Sequence, residues 1–545
     1  MTPDRTPGAG ADAPEETGLA ALRELVAATG DRFRLCPRPG PVQEPRTLTV
    51  GMATYDDYDG VYFTVTSLLL HHAEVMDRVN VLVVDNHPAG PHAWALKRLE
   101  LEVPHLRYVP YDRRTGTAAR DRVFREAASD WVMCVDSHVQ LAPGALAALL
   151  DHIDTQPDSG DLVQGPLVSA DQRKVSTHWE PGWHRGMYGV WGTDPRGIDP
   201  GAPPFEIGMQ GLGLFACRTA AWPGLNPAFA GHGGEEGHLH EKFRRAGHTT
   251  VCLPALRWTH RFDVPRTKRS TGSAWYQRLF NYLIGYDELG LSPHEAVAHF
   301  SALVGERAVA RAVADFKAEQ RNPFAAFDGI TCINLDERPE RWKAVRGRLS
   351  ALGLRPERLH RLPAVATPAD HQVGRALSHR QALQQAHTDG LDSLLVLEDD
   401  VLFLPGATRV LRDAMAELTG RTWSLLCLGG ADGELPLPRT EGRRFLEPAD
   451  GITTTHAIAY HRSAFTPLLD ELPDTIEDMT GWVRRHTAID RYLARWDRPD
   501  SYRTVPAIAT RTHRTGPAVE DLDEPFASPG TTGLDAPPAP EGAPR

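Results

Sequence analysis

Short, continuously apolar segments alternate with helix-like stretches from about residue 46 onward. The segments LTVGMAT (48–54), VNVLVVDN (79–86), LRYVPY (106–111) and WVMCVDSHV (131–139) have strand length, and the pattern from Val61 to Glu74 is helical. A strand that is apolar on both sides must be covered on both faces, which predicts a parallel sheet between layers of helices. Residues 155–260 turn to long loops rich in Gly, Pro and Trp that complete this unit. The alternation then restarts with ITCINL (330–335), a charged helix from Glu340 to Leu352, SLLVLEDDV (393–401), SLLCLGG (424–430) and HAIAYHR (456–462). Between the two series, Ser292-Pro293-His294-Glu295 has the residues of a capping box, and the Ala- and Val-rich stretch to about Gln320 predicts one linking helix.

At 545 residues, 41% hydrophobic and 24% charged, the chain exceeds one ordinary core. The predicted division is a largely disordered region 1–45, a first unit 46–290, a helical linker 291–327, a second unit 328–517 and a disordered tail 518–545. A net charge of -12 gives no general attraction to nucleic acid or anionic membrane. No run approaches the roughly 18–20 apolar residues of a spanning helix, so no transmembrane segment is expected. Residues 1–17 lack the features of a secretory signal. Six scattered cysteines without a CxxC pair read as buried free thiols, which fits the cytoplasm.

DRVFREAASDWVMCVDSHVQL (121–141) reads as a helix leading into a buried strand that ends in Asp136, Ser137 and His138. Ligands of open α/β sheets bind beyond the carboxyl ends of the strands, where this pair offers an oxygen and a nitrogen to a divalent ion. The competing reading is an Asp that caps the next turn. The segment resembles the glycosyltransferase family 2 fold over about residues 46–290, with the Asp-x-His motif of the polypeptide N-acetylgalactosaminyltransferases. The resemblance implies that Thr54, Tyr55 and Asp85 face a nucleotide, that Arg120 lies near it, and that Asp136 and His138 hold a metal against the diphosphate. His260, in LRWTHRF, takes the place of a third metal ligand in those enzymes, although a lone His is more often structural. In FAGHGGEEGHLHEKFRRAGH (229–248) the resemblance maps an acid facing the sugar or acceptor onto Glu235 and Glu236, one of them the general base. Acids favoured by a helix N-terminus are the alternative. Residues 211–216 match a dinucleotide fingerprint without its βαβ context, and His238 and His240 read as helix-surface histidines.

In the second series, Glu398, Asp399 and Asp400 directly follow a buried strand. Adjacent carboxylates repel one another, and a bound cation relieves that repulsion; a solvated acidic turn is the alternative. With INLDERPERW (333–342), ALSHRQAL (376–383) and THAIAYHRSAF (455–465), this part resembles glycosyltransferase family 25, the lipooligosaccharide and collagen galactosyltransferase type, over about residues 328–515. The resemblance implies nucleotide contacts from Asn334, Arg338 and Arg341, a donor site lined by Ser378 and His379, and metal binding by Asp399 and Asp400. It places Asp490 at the acceptor side and His513 as a late metal ligand. Arg338 and Arg341 pairing with Glu337 and Glu340 on a solvated helix start is the plainer alternative. The family's commoner Gly-Cys is replaced by Val373-Gly374-Arg375.

The expected fold class is thus α/β, with two GT-A-type, Rossmann-like nucleotide-diphospho-sugar transferase domains joined by a helical linker. The expected activity is bifunctional, metal-dependent glycosyl transfer from a nucleotide-sugar donor, UDP-linked, with Mn2+ as the ion and Mg2+ as the alternative. The acceptor is a glycan, a protein or peptide, or a small molecule. Two rivals stand beside this reading: one unit active and the other a binding or scaffolding module, or a nucleotide-sugar pyrophosphorylase. The latter needs a Gly-rich basic loop after the first strand, where this chain has GMATYDDYDG (51–60).

Overall fold

The computed structural model describes residues 37–112, 116–261, 274–430, 444–449, 454–496 and 498–512. His513, residues 1–36 of the region 1–45 expected to be largely disordered, Cys36 among them, and the tail 518–545 lie outside the described residues.

Four parallel strands, β1 (Leu48–Thr54), β2 (Val79–Asp85), β3 (Leu106–Pro110) and β4 (Trp131–Asp136), stand in the order β3-β2-β1-β4 within an eight-stranded sheet. Every residue of β2 is buried, as a strand covered on both faces requires. The register sets Thr54 beside Asp85 and Ala53 beside Asp136, so three strands end level at one edge. Leu214–Arg218 runs antiparallel along the far side of β4. Just before it, Gly213 accepts a hydrogen bond from the Asp136 amide, which gives the discounted glycine pattern its structural place. Beyond Asp136 the chain turns at Ser137-His138 into the short strand Val139–Leu141, which pairs antiparallel with Trp258–His260 and sets His260 opposite Val139. That ladder delivers a residue from late in the unit to the turn.

The second series builds a seven-stranded sheet on the same local plan. Leu359–Pro363, Gly329–Asn334 and Ser393–Glu398 are parallel neighbours, and Ala457–His461 lies antiparallel beside Ser393–Glu398. After Glu398 comes the turn Asp399-Asp400, then Val401–Phe403, which pairs antiparallel with Ala509–Arg511 and sets Arg511 opposite Val401. By position Glu398 corresponds to Asp136, Asp400 to His138 and Arg511 to His260. Leu394 and Val396 pack with Leu383 on one face, while Leu395 and Leu397 pack with Leu411 on the other.

The link between the sheets departs from the single helix expected. Two helices, His294–Val304 and Glu306–Gln320, meet at Gly305, whose φ of 95° favours glycine and breaks the run. Leu279, Leu283, Phe300 and Val309 join them to the helix Ala274–Glu288, whereas Phe324 and Phe327 enter the second core. The two units also touch directly. Arg122, on the helix Arg120–Glu126, pairs at 2.9 Å with Asp389 at the end of the helix His371–Thr388, and both side chains are largely buried. The Arg355 guanidinium sits 4.2 Å from the centre of the Phe280 ring.

Among the described residues, five cysteines (Cys134, Cys217, Cys252, Cys332 and Cys427) are buried and free. No described helix is long and apolar enough to cross a membrane.

Candidate active site

The edge where β1, β2 and β4 end collects three of the residues singled out from the sequence. Asp136, His138 and His260 each offer a ligand atom, all within 4.8 Å of one another. Asp136 Oδ2 is 3.2 Å from His260 Nε2, and the two imidazole rings lie 4.5 Å apart at 85°. One carboxylate oxygen and two imidazole nitrogens form a donor set suited to a first-row divalent ion. Arg120 donates to the other oxygen, Asp136 Oδ1. Burial opposes ionisation of Asp136, but Arg120 and His260 outweigh it and hold the carboxyl far below its ordinary range. A capping role alone does not account for these partners.

A residue the sequence reading missed completes the turn. Asp57 precedes the helix Tyr58–His71 and accepts from the Gly60 amide at 3.1 Å. Its Oδ2 accepts from Ser137 Oγ at 2.7 Å and lies 2.9 Å from His138 Nδ1. Burial raises its pKa, yet the bonds from His138, Ser137 and Gly60 bring it down to about 2. Nearly two turns into the helix, the Thr64 hydroxyl lies 2.9 Å from the Ser137 carbonyl and 2.8 Å from that of Val139, one donor shared between the two ends of the turn. In YDDYD (55–59) the sequence shows three acids and no means of choosing among them.

Glu235 and Glu236 open the helix Glu235–Arg245 directly after Gly233-Gly234, and both are buried. Glu235 accepts from the Gly233 amide at 2.7 Å and lies 3.3 Å from His232 Nδ1 and 3.9 Å from Arg120 Nη1. Arg120 therefore faces the acid of the metal-type cluster and the acid of this loop at once. Burial would raise Glu235, but His232 and Arg120 keep it ionised. Glu236 shifts upward, through burial and then the charge of Glu235. His232, Glu235 and Glu236 make a second group with ligand atoms within 4.8 Å. His238 and His240 are core residues, which corrects the surface expectation. His238 Nε2 lies 2.7 Å from Glu288, and His240 is fixed by the Glu236 carbonyl at 2.6 Å and Gln164 Oε1 at 2.9 Å. Burial lowers the His240 pKa to about 4.

The expected nucleotide contacts divide. Tyr55 is 39% exposed and stacks on His87 with ring centres 4.7 Å apart. Thr54 is buried at the end of β1. Asp85, at the end of β2, is 1% exposed and its carboxylate accepts hydrogen bonds within the fold. Tyr108 donates to Oδ2 at 2.7 Å and the His87 amide to Oδ1 at 2.9 Å.

In the second unit a cavity of about 390 Å³ is lined by Arg341, Arg375, Ser378, Glu398, Asp399 and Asp400 among others. Asn334 donates to Asp399 at 2.9 Å and Arg341 at 3.1 Å, so Arg341 reaches the first acid of the turn. Glu398 accepts from Thr455 at 2.8 Å and lies 3.4 Å from both Arg375 and Arg511. Burial opposes its ionisation, but His379, Arg375 and Arg511 hold its pKa far down. Asp400 is shifted upward by burial and by Glu398, and among the described residues its Oδ1 finds no hydrogen-bond partner. Ser378 lines the cavity with its hydroxyl bonded to the Gly374 carbonyl, and buried His379 contacts Tyr460 at 3.0 Å. Arg338 is exposed at the start of the helix Pro339–Ala351, and neither it nor Asp490 lines the cavity.

Residues 49–212 match the family described as Glycosyl transferase family 2. No curated protein matches the chain. Similar solved structures include GalNAc-T7 with UDP, GalNAc and Mn2+, at 15% identity and a TM-score of 0.35, covering 44% of this chain and 49% of that one. The chain thus spans about half of that protein's length. Another is the mannosyltransferase PcManGT from Pyrobaculum calidifontis in complex with GDP-Man and Mn2+, at 18% identity and a TM-score of 0.33, covering 56% of this chain and 84% of that one. The family-level likeness of the chain thus lies in its N-terminal half, over the residues that carry β1, β2, β3 and β4.

Proposed function

We propose that the first unit transfers a sugar from a nucleotide-sugar donor, UDP-linked, to an acceptor hydroxyl with the help of a divalent ion, Mn2+. The observation that carries this reading is the cluster of Asp136, His138 and His260 at the level ends of β1, β2 and β4. These three residues would hold the ion, which would supply positive charge to the leaving diphosphate. Arg120 keeps Asp136 ionised and at fixed spacing from Glu235. Glu236, whose proton affinity is raised, takes the proton of the acceptor hydroxyl as its oxygen bonds to the sugar carbon and the nucleoside diphosphate leaves with the old bond's electrons. Glu235, tied to His232 and Arg120, keeps the loop in place.

The second unit is a second transfer site in this reading, with Asp399 and Asp400 at its metal and Arg341 toward the donor phosphates. The repeated strand, acid, turn and short strand supports it. One observation favours the reading of this unit as a binding module instead: Glu398 is already engaged by Thr455, Arg375 and Arg511. The five buried free thiols support a place in the cytoplasm. The test is donor hydrolysis by the full chain carrying Asp399→Asn and Asp400→Asn against a panel of UDP- and GDP-sugars with Mn2+, with and without EDTA. Hydrolysis of a UDP-sugar that EDTA and Asp136→Asn abolish is the expected result; hydrolysis indifferent to both would overturn the proposal.

A further inference from the structure

Asp57 lies outside the metal-type cluster and touches it through the turn. We propose that Asp57 is a positioning residue that fixes the His138 ring for the divalent ion, an inference that rests on Asp136, His138 and His260 being that ion's ligands. With Asp57 Oδ2 at 2.9 Å, His138 commits its Nδ1–H to the carboxylate, which leaves Nε2 with the lone pair able to ligate. A carboxylate behind a ligating imidazole selects its tautomer, orients the ring and raises its basicity. The same oxygen accepts from Ser137 Oγ at 2.7 Å, so one carboxylate fixes both residues of the turn.

The fold provides for this contact in two further ways. Asp57 Oδ1 caps the helix Tyr58–His71 through the Gly60 amide, which ties the carboxylate to a rigid element. A Cβ at position 60 would stand 2.2 Å from Asp57 Oδ2, so glycine there lets the carboxylate reach the turn. Thr64, on the same helix, holds the Ser137 and Val139 carbonyls. The helix and the turn are thereby one assembly, and the ring of His138 is set by the helix as much as by its own strand.

The experiment is Mn2+ binding by calorimetry on the full chain carrying Asp399→Asn and Asp400→Asn, so that the heat reports the first unit. Asp57→Ser keeps a good helix cap but is too short to reach His138, and we expect Mn2+ affinity to fall about 10–100-fold while Tm stays near that of the parent. In a His138→Ala background the same change should cost nothing further. Gly60→Ala, which displaces the carboxylate without removing it, should weaken binding in the same direction and serves if Asp57→Ser fails to fold. Parental affinity in Asp57→Ser and Gly60→Ala, with binding lost in Asp136→Asn, would overturn the positioning role and leave the ligands standing. Equal losses with and without His138 would overturn it as well. Parental binding in Asp136→Asn would overturn the ligand assignment itself.

Discussion

His260 Nε2 lies 3.2 Å from Asp136 Oδ2 although 124 residues separate them in sequence. The ladder between Val139–Leu141 and Trp258–His260 makes the approach, and an ion held between the two groups would draw charge from both. Asp136→Asn and His260→Ala should each lower transfer about 10²–10³-fold, the scale of losing one stabilising contact to the departing charge. Mn2+ titration of initial rates checks this: saturating ion should restore part of the activity of His260→Ala and little of that of Asp136→Asn.

Glu236→Gln should lower kcat about 10²–10⁴-fold with the donor KM nearly unchanged, because a base acts only as the new bond forms. The pH profile gives a separate check. Burial and the charge of Glu235 raise Glu236, so its ionised form is lost as pH falls through a value above the ordinary carboxylate range. The acid limb of kcat/KM therefore lies at higher pH than for a solvated Glu. Glu235→Gln removes the neighbouring charge and should move that limb to lower pH. An unmoved limb would assign the proton transfer to another group.

If the second unit transfers sugar on its own, Asp399→Asn with Asp400→Asn should abolish one product and spare the other. Mass spectrometry of the acceptor should show two added sugars from the wild type and one from this variant. Asp136→Asn should add none to the starting acceptor, yet elongate a supplied singly glycosylated one. A single sugar from the wild type that only one variant loses would leave the other unit as a binding module.

Glu288 ties the helix Glu235–Arg245 to the helix Ala274–Glu288. It meets His238 at 2.7 Å, Lys242 at 2.8 Å and Asn226 at 2.6 Å. Burial opposes its charge, but these partners hold its carboxyl well below the ordinary 4.5. A depressed folded-state pKa contributes stability above the unfolded value, and that contribution is lost as pH falls through the folded one. Glu288→Gln should cost about 1–3 kcal/mol near neutral pH. Urea unfolding should show the gap to wild type closing as pH drops below 4.5.

The apolar runs that became β1 to β4 were legible because a parallel strand buried on both faces leaves little room for polar residues. Asp136 and His138 stood out in the sequence because a carboxylate and an imidazole at the end of such a strand have no packing purpose, and the structure brings them together with His260. Asp85 looked equivalent from the same pattern. What the sequence did not show of it is its bond to Tyr108, which the β2–β3 register sets beside Val83, and whose hydroxyl reaches the carboxylate. Asp57 was hidden for the opposite reason. Its meaning depends on where the helix Tyr58–His71 docks, and neighbouring Asp56 and Asp59 carry the same chemistry in sequence. His238 and His240 misled because a polar helix start suggested solvent, whereas Glu288, Gln164 and a carbonyl satisfy them in the interior.

The ion pair of Arg122 with Asp389 has a consequence for how such a chain changes over generations. Arg122 stands two residues from Arg120, on the same short helix, so a surface serving the second unit and a residue serving the first cannot drift apart freely. Deleting the second unit would leave Arg122 with Glu126 as its remaining ion-pair partner among the described residues, and Asp389→Ala alone should cost about 1–3 kcal/mol. A lineage in which the second unit fell silent would therefore still be held to its surface at Asp389. Its cavity residues would be released to vary, while the ion-pair residues stayed fixed.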